Sequence, residues 1–460
     1  MTTLWSGRFD AAPDAAAFEF QKSFRFDRRL FDEDVTGSLA WARALGRAGV
    51  LPKADVDQIE QALGDIRQRG QADPRFVDGD DEDVHSFVER VLVERVGDAG
   101  RRLHTGRSRN EQVSLDVRLY LMRHIPALQS GVANVVAALA AQAAAAGDAL
   151  MPAFTHFRPA QPVLVAHFFL AHIAPLRRDY QRLAAARDEA DALTLGSGAV
   201  AGTSYEIDVN ALATDLGFSR IVPNSIDASS DRDFAASFHY ACALTMVHLS
   251  RLAEDFIILC GDGHRFFELS DALSTGSSMM PQKKNPDPLE LVRGKTGRSI
   301  GHLLALLTTM KGLPSGYNKD LQEDKEAIFD AEDTLTGCLS AVRAVIGGLT
   351  LNRAQASAAA TGLLLATDVA DYLVRRGVPF RRAHEISGGL VRKLLAEGRD
   401  FDSLSVAEWR AASEFFDADI AAHVTSSASV AAKRTPQSTA PSAVARALAE
   451  AQSWVARVSG

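Results

Sequence analysis

The stretch Asn110–Gly147, NEQVSLDVRLYLMRHIPALQSGVANVVAALAAQAAAAG, decides the architecture. Val113, Val117, Leu121, Leu128, Val132, Val135 and Leu139 recur at mostly three- and four-residue steps, the spacing of one helix face. The spacing predicts a single helix from Asn110 to about Ala146, with a kink at Pro126 and an end at Gly147. Working outward, four more long helices are expected. They run from Pro162 to about Leu193, from about Ser229 to Cys260, from Asp287 to about Lys311, and from about Leu321 to Ile346. In the third of the five, Phe234, Phe238, Ala241, Met246 or Val247, Leu249, Leu252 and Phe256 should point inward. β-Branched alternation is scarce, so the fold class is all-α.

Helices of about 25 to 35 residues are roughly 40 to 50 Å long at about 1.5 Å per residue, well beyond the usual three to four turns. They are apolar on more than one side. That calls for partners beyond their own bundle, hence an oligomer; a monomer with a thick core is the alternative. The flanks differ, and three regions are expected. Residues 1–111 form a mostly helical N-terminal domain, 112–362 the long-helix bundle, and 363–460 a small helical C-terminal domain. The acidic run DGDDEDVHSFVERVLVERVG reads as a solvated loop leading into a helix. No internal repeat is evident.

Composition narrows the function. The chain has 460 residues, 47% hydrophobic and 23% charged, with net charge −8, which disfavours general nucleic-acid binding. Cys242, Cys260 and Cys338 form no CxxC and no disulfide framework, fitting a reducing, cytoplasmic setting. MTTLWSGRFD lacks an apolar signal core, and no uncharged apolar run reaches membrane-span length. LGSGAVAG (Leu195–Gly202) follows a helical pattern rather than a strand, so it reads as a turn and not a dinucleotide loop. There is no Walker A loop, no nucleophile elbow and no HExxH; no metal or cofactor is expected. His167 and His172 read as packed or partner-facing.

What remains are polar islands at the ends of long helices. LHTGRSRNEQ holds Ser108, Arg109 and Asn110 at a helix start, a good place for a carboxylate. THFRPAQP puts Thr155 and His156 in a loop before the second helix, making His156 a proton-transfer candidate. TGSSMMPQKKNPDPLE (Thr275–Glu290) joins a flexible Gly-Ser start to Lys283, Lys284 and Asn285, with Glu290 in the helix that follows. YNKDLQEDKE adds Tyr317, Gln322 and Lys325, though alone it reads as a solvated charged helix start. Together they suit a small substrate with several carboxylates and proton-transfer chemistry such as elimination or hydration.

GSSMMPQKKNPD resembles the signature loop of the fumarase/aspartase superfamily, Gly-Ser-Ser-x-Met-Pro-x-Lys-x-Asn-Pro. MPQKKNPD, LHTGRSRN, GLPSGYNKDLQEDKE, NSIDASSDRDF and LWSGRF resemble its argininosuccinate lyase branch, over nearly the whole chain. The pattern departs where Glu111 stands for the family's usual Asp, where Phe157, Arg158 and Pro159 replace Leu-Gln-Arg, and where Gln437-Ser438 precede Thr439.

The resemblance implies a homotetramer with a core of twenty long helices and active sites built from three subunits. It implies reversible cleavage of argininosuccinate to arginine and fumarate through an aci-carboxylate. It implies Ser277 as the base, a role also given to the histidine in this family, and His156 as acid partner with Glu290 orienting its ring. Lys283 and Asn285 would hold the carbanion's charge. Ser23, Asn110, Thr155, Tyr317, Gln322 and Lys325 would bind substrate, with Ser108 and Arg109 as further carboxylate contacts. Another fumarate-releasing lyase, such as adenylosuccinate lyase, and a crystallin-like structural tetramer are the alternatives.

Overall fold

The computed structural model describes residues 14–459; the LWSGRF stretch lies outside them. The described chain is helical, with three small two-stranded sheets, and the all-α reading holds. Five long helices dominate: α1 (Arg109–Ala146), α2 (Val165–Ala190), α3 (Asp233–Cys260), α4 (Asp287–Met310) and α5 (Asp324–Gly347). The periodic residues of α1 and α3 are buried as their spacing predicts, including Val117, Leu121, Val132, Phe234, Met246 and Phe256.

Helix α1 passes through Pro126 without a break in its assignment. Proline cannot donate to the carbonyl four residues back. That carbonyl, of Met122, instead accepts from Arg187 Nε of α2 at 3.1 Å, so the missing donor is replaced. By length and apolar content α1 could cross a membrane, but half of that stretch is already buried inside the protein, as in a core helix.

The chain divides into two compact units. The first comprises Met1–Gln129, Arg182–Ala243 and Arg298–Thr334; the second comprises Ser130–Gln181, Leu244–Gly297 and Leu335–Gly460. In the first, helices Phe31–Arg47, Lys53–Ala72 and Val84–Val96 pack together. Phe24 stacks on Phe87 at 5.2 Å between ring centres, which seats the short helix Phe24–Asp27 against the start of Val84–Val96.

In the second unit, β1 (Leu150–Thr155) and β2 (Arg158–Leu164) form an antiparallel hairpin. Here α2 starts three residues later than expected, because Pro159 and Pro162 lie in an extended strand. The hairpin packs on the helix Arg353–Ala359, and Leu164 N–H donates to Thr439 Oγ1 at 2.8 Å. Strands β3 (Phe267–Glu268) and β6 (Thr350–Leu351) pair, as do β4 (Thr275–Gly276) and β5 (Lys284–Asn285). Residues 365–424 share a core of their own around Trp409, Phe416 and Tyr372.

Candidate active site

In the first unit, a cavity of about 250 Å³ gathers Ser23, Arg109, Asn110, Tyr317, Gln322 and Lys325, six of the expected substrate-binding residues. Arg109 and Asn110 begin α1, Lys325 begins α5, and Ser23 precedes Phe24–Asp27. Ser108 is not among the lining groups. Its N–H donates to Glu111 Oε1 at 2.9 Å and its Oγ accepts from Asn110 N–H at 3.2 Å, so it serves the helix start.

Charges around the cavity are paired before any ligand arrives. Lys325 Nζ lies 2.9 Å from Asp324 Oδ1, and Arg232 Nε donates to Asp324 Oδ2 at 2.5 Å. Burial pushes the Asp324 carboxyl up, but Lys325 and Arg232 outweigh it and hold the group below its usual range. Burial, reinforced by Asp324, pushes the Tyr317 phenol up to about 12. The charged stretch Tyr317–Glu326 is therefore not a solvated helix start throughout: Asp324 and Lys325 are buried because they satisfy one another.

The acidic run is corrected in the same way. Asp83 caps the helix Val84–Val96 through Ser86 N–H at 2.7 Å, but Asp83 and His85 are buried and, with Asp27 and Glu82, line the cavity. Burial would raise the Asp83 carboxyl, yet Arg109, His85 and the Ser86 bonds prevail and hold it at about 2. Asp27 has fewer such partners, and burial lifts it to about 6. Behind the cavity, His85 Nδ1 lies 2.8 Å from Asp34 Oδ1 and 3.3 Å from Asp116 Oδ2. These cavity residues were missed individually; the clue was a histidine two residues after a helix-capping aspartate.

The LGSGAVAG stretch is a turn, as expected, and it braces the site. Gly198 N–H donates to Glu111 Oε2 at 2.9 Å, tying the turn to the start of α1. Gly198 has φ +60°, and a Cβ there would meet Gly202 O at 2.6 Å, so glycine is required. Burial raises the Glu111 carboxyl to about 7 against the backbone donors that favour its charge.

The proton-transfer candidates belong to the second unit. Thr155 ends β1, and His156 and Phe157 make the two-residue turn. Both turn residues have positive φ, +54° and +58°, a strained conformation for side chains other than glycine or asparagine. The tip is exposed, Phe157 by 85%, and His156 has no hydrogen-bond partner among the described residues. The island read as a loop is thus a hairpin tip.

The signature loop is also a hairpin, with Thr275 opposite Asn285 and Gly276 opposite Lys284. Ser277 Oγ accepts the N–H groups of Met279 and Met280 at 3.3 and 3.1 Å. Two amide donors aimed at one hydroxyl oxygen favour negative charge on it. Lys284 is engaged with Asp271 at 2.8 Å and Glu268 at 3.5 Å, whereas Lys283, at the exposed tip, has no ion pair among the described residues. Thr275 donates to Asp287, and Asn285 Nδ2 approaches Thr275 Oγ1 at 3.5 Å. Glu290 is exposed in the first turn of α4; no hydrogen bond joins it to His156 within the described chain.

A family profile described as a lyase matches residues 7–301, and one described as the argininosuccinate lyase C-terminal region matches residues 363–431. The argininosuccinate lyase of Moorella thermoacetica is 47% identical over 457 residues, spanning 99% of this chain and 98% of that relative. That of Roseiflexus sp. is 48% identical over 453 residues, spanning 98% and 99%. The chain belongs to the argininosuccinate lyase family. Solved structures share the fold at lower identity. A crystal structure of EDDS lyase in complex with formate has a TM-score of 0.85 at 24% identity, covering 98% of this chain and 93% of that one. A fumarate lyase from Mesorhizobium sp. BNC1 has 0.76 at 18%, covering 94% and 97%. Against the argininosuccinate lyase pattern, the Glu111 departure now has a place as the clamp on Gly198, and Thr439 still holds β2 despite Gln437 and Ser438.

Proposed function

We propose that the protein cleaves argininosuccinate reversibly to arginine and fumarate. The carrying observation is one cavity lined by Ser23, Arg109, Asn110, Tyr317, Gln322 and Lys325 in a chain of this family. Ser277, ionised to the alkoxide, takes up the proton beside a succinyl carboxylate and becomes the hydroxyl. Its oxygen is prepared for that by the Met279 and Met280 N–H donors. The carbanion's charge spreads into the carboxylate as an aci form, met by Lys283 and Asn285. The guanidino nitrogen leaves as the C–N bond breaks, taking a proton from His156, whose ring Glu290 orients. Thr155 joins the substrate contacts.

This arrangement needs several chains. Among the described residues of one chain His156 has no hydrogen-bond partner, and α4 leaves Leu291, Ile300, Leu304 and Leu307 exposed. A homotetramer with sites shared among three subunits supplies both a ring partner and a cover for that face. We place the enzyme in the cytoplasm, in arginine biosynthesis, with the division at residues 111 and 362 as its domain plan. Fumarate formation followed by ultraviolet absorbance tests the reading. Release from argininosuccinate and not from adenylosuccinate is expected; the reverse preference would assign another lyase.

A further inference from the structure

Ser23 is 3% exposed and touches the cavity. Its hydroxyl donates to Asp27 Oδ2 at 2.5 Å, while Asp27 Oδ1 accepts Val84 N–H at 2.9 Å. Both carboxylate oxygens are thereby engaged, and the single hydroxyl hydrogen of Ser23 is spent inside the protein. What Ser23 can still offer a ligand is lone pairs. The backbone holds this arrangement: Ser23 N–H donates to Glu82 O at 2.8 Å, joining the short helix to the start of Val84–Val96. The same wall brings Asp27, Glu82 and Asp83 to the cavity; Glu82 is paired with Lys319 at 3.1 Å, and Arg109 and Lys325 line the space as well.

We propose that Asp27 is a positioning residue that makes Ser23 an obligate hydrogen-bond acceptor, so that this wall reads a cationic N–H group in the arginine half of the substrate. The inference rests on the reaction proposed above. Burial lifts Asp27 only to about 6, so it stays ionised at neutral pH and keeps the Ser23 hydrogen.

Asp27→Asn inverts this polarity while preserving shape. The new amide keeps the Val84 bond through its oxygen and points N–H at Ser23, turning the serine hydrogen into the cavity against an N–H donor. In the direction of synthesis, with arginine and fumarate as substrates, Asp27→Asn should raise KM for arginine about tenfold and leave KM for fumarate within about twofold. Ser23→Ala, which removes the acceptor without adding a donor, should raise it less. Asp27→Asn added to Ser23→Ala should change nothing further. With 5-guanidinopentanoate replacing arginine, loss of the Asp27→Asn penalty assigns the contact to the α-ammonium; its persistence assigns it to the guanidinium. Equal effects on both substrates, additivity of the two substitutions, or an unchanged KM for arginine in a folded Asp27→Asn enzyme would overturn the proposal. A wild-type protein inactive in both directions would instead remove the function on which it rests.

Discussion

The cavity of the first unit and the two hairpins of the second are built on opposite terms. Around the cavity, Asp324, Lys325, Arg232, Asp83 and Asp27 are buried and already paired. At the hairpin tips, His156 and Lys283 are exposed and without partners among the described residues. A binding surface gains from charges fixed in advance, because nothing need reorganise when the ligand arrives. The groups proposed for proton transfer and charge stabilisation are here left open, and under that proposal their environment comes from the substrate or from other copies of the chain.

The contrast predicts that hairpin substitutions change rate with little effect on stability, and cavity substitutions change both. The largest effect is expected at Ser277→Ala, with kcat reduced about a thousandfold or more and the assembly unaltered by gel filtration; near-normal turnover would remove Ser277 as base. Lys283→Met should lower kcat about a hundredfold, near 3 kcal/mol, while Lys284→Met, losing only the exposed pairs to Asp271 and Glu268, should stay within a few-fold. Equal losses at the two lysines would break the distinction between the free and the engaged side chain.

On the cavity side, Asp83→Asn should cost about 2 kcal/mol in urea unfolding at neutral pH. The folded carboxyl sits below its unfolded value of 3.8, so its contribution is present above that pH and is lost as pH falls toward about 2. The gap between variant and wild type should therefore close across that window; a gap constant with pH would deny the charge its role. Smallest is Thr439→Val, which orphans the Leu164 N–H and should cost about 1 kcal/mol in unfolding.

The five helices were legible to within a few residues because a 3.6-residue period over seven turns leaves little choice. The β1–β2 hairpin was not, since Pro159 and Pro162 deny it strand-like alternation and its turn lacks glycine. The hydroxyl and lysine of the signature loop could be singled out by residue type. The burial of Asp324 beside the cavity could not, because besides the adjacent Lys325 it needs Arg232, 92 positions away, and no local window contains that second pair. Long-range compensation turns an apparently solvated run into an interior one.

The turn at His156 and Phe157 also limits how such a chain diverges. A hairpin closed by two residues has little slack at its tip. One residue added or removed between Thr155 and Arg158 would slip the register and reverse the faces of a strand unless a bulge took it up, as one already takes up Ala160 between the Ala153–Gln161 and Phe154–Pro159 pairs. A change of length here calls for a compensating bulge, whereas a substitution alters only the side chain that the tip displays.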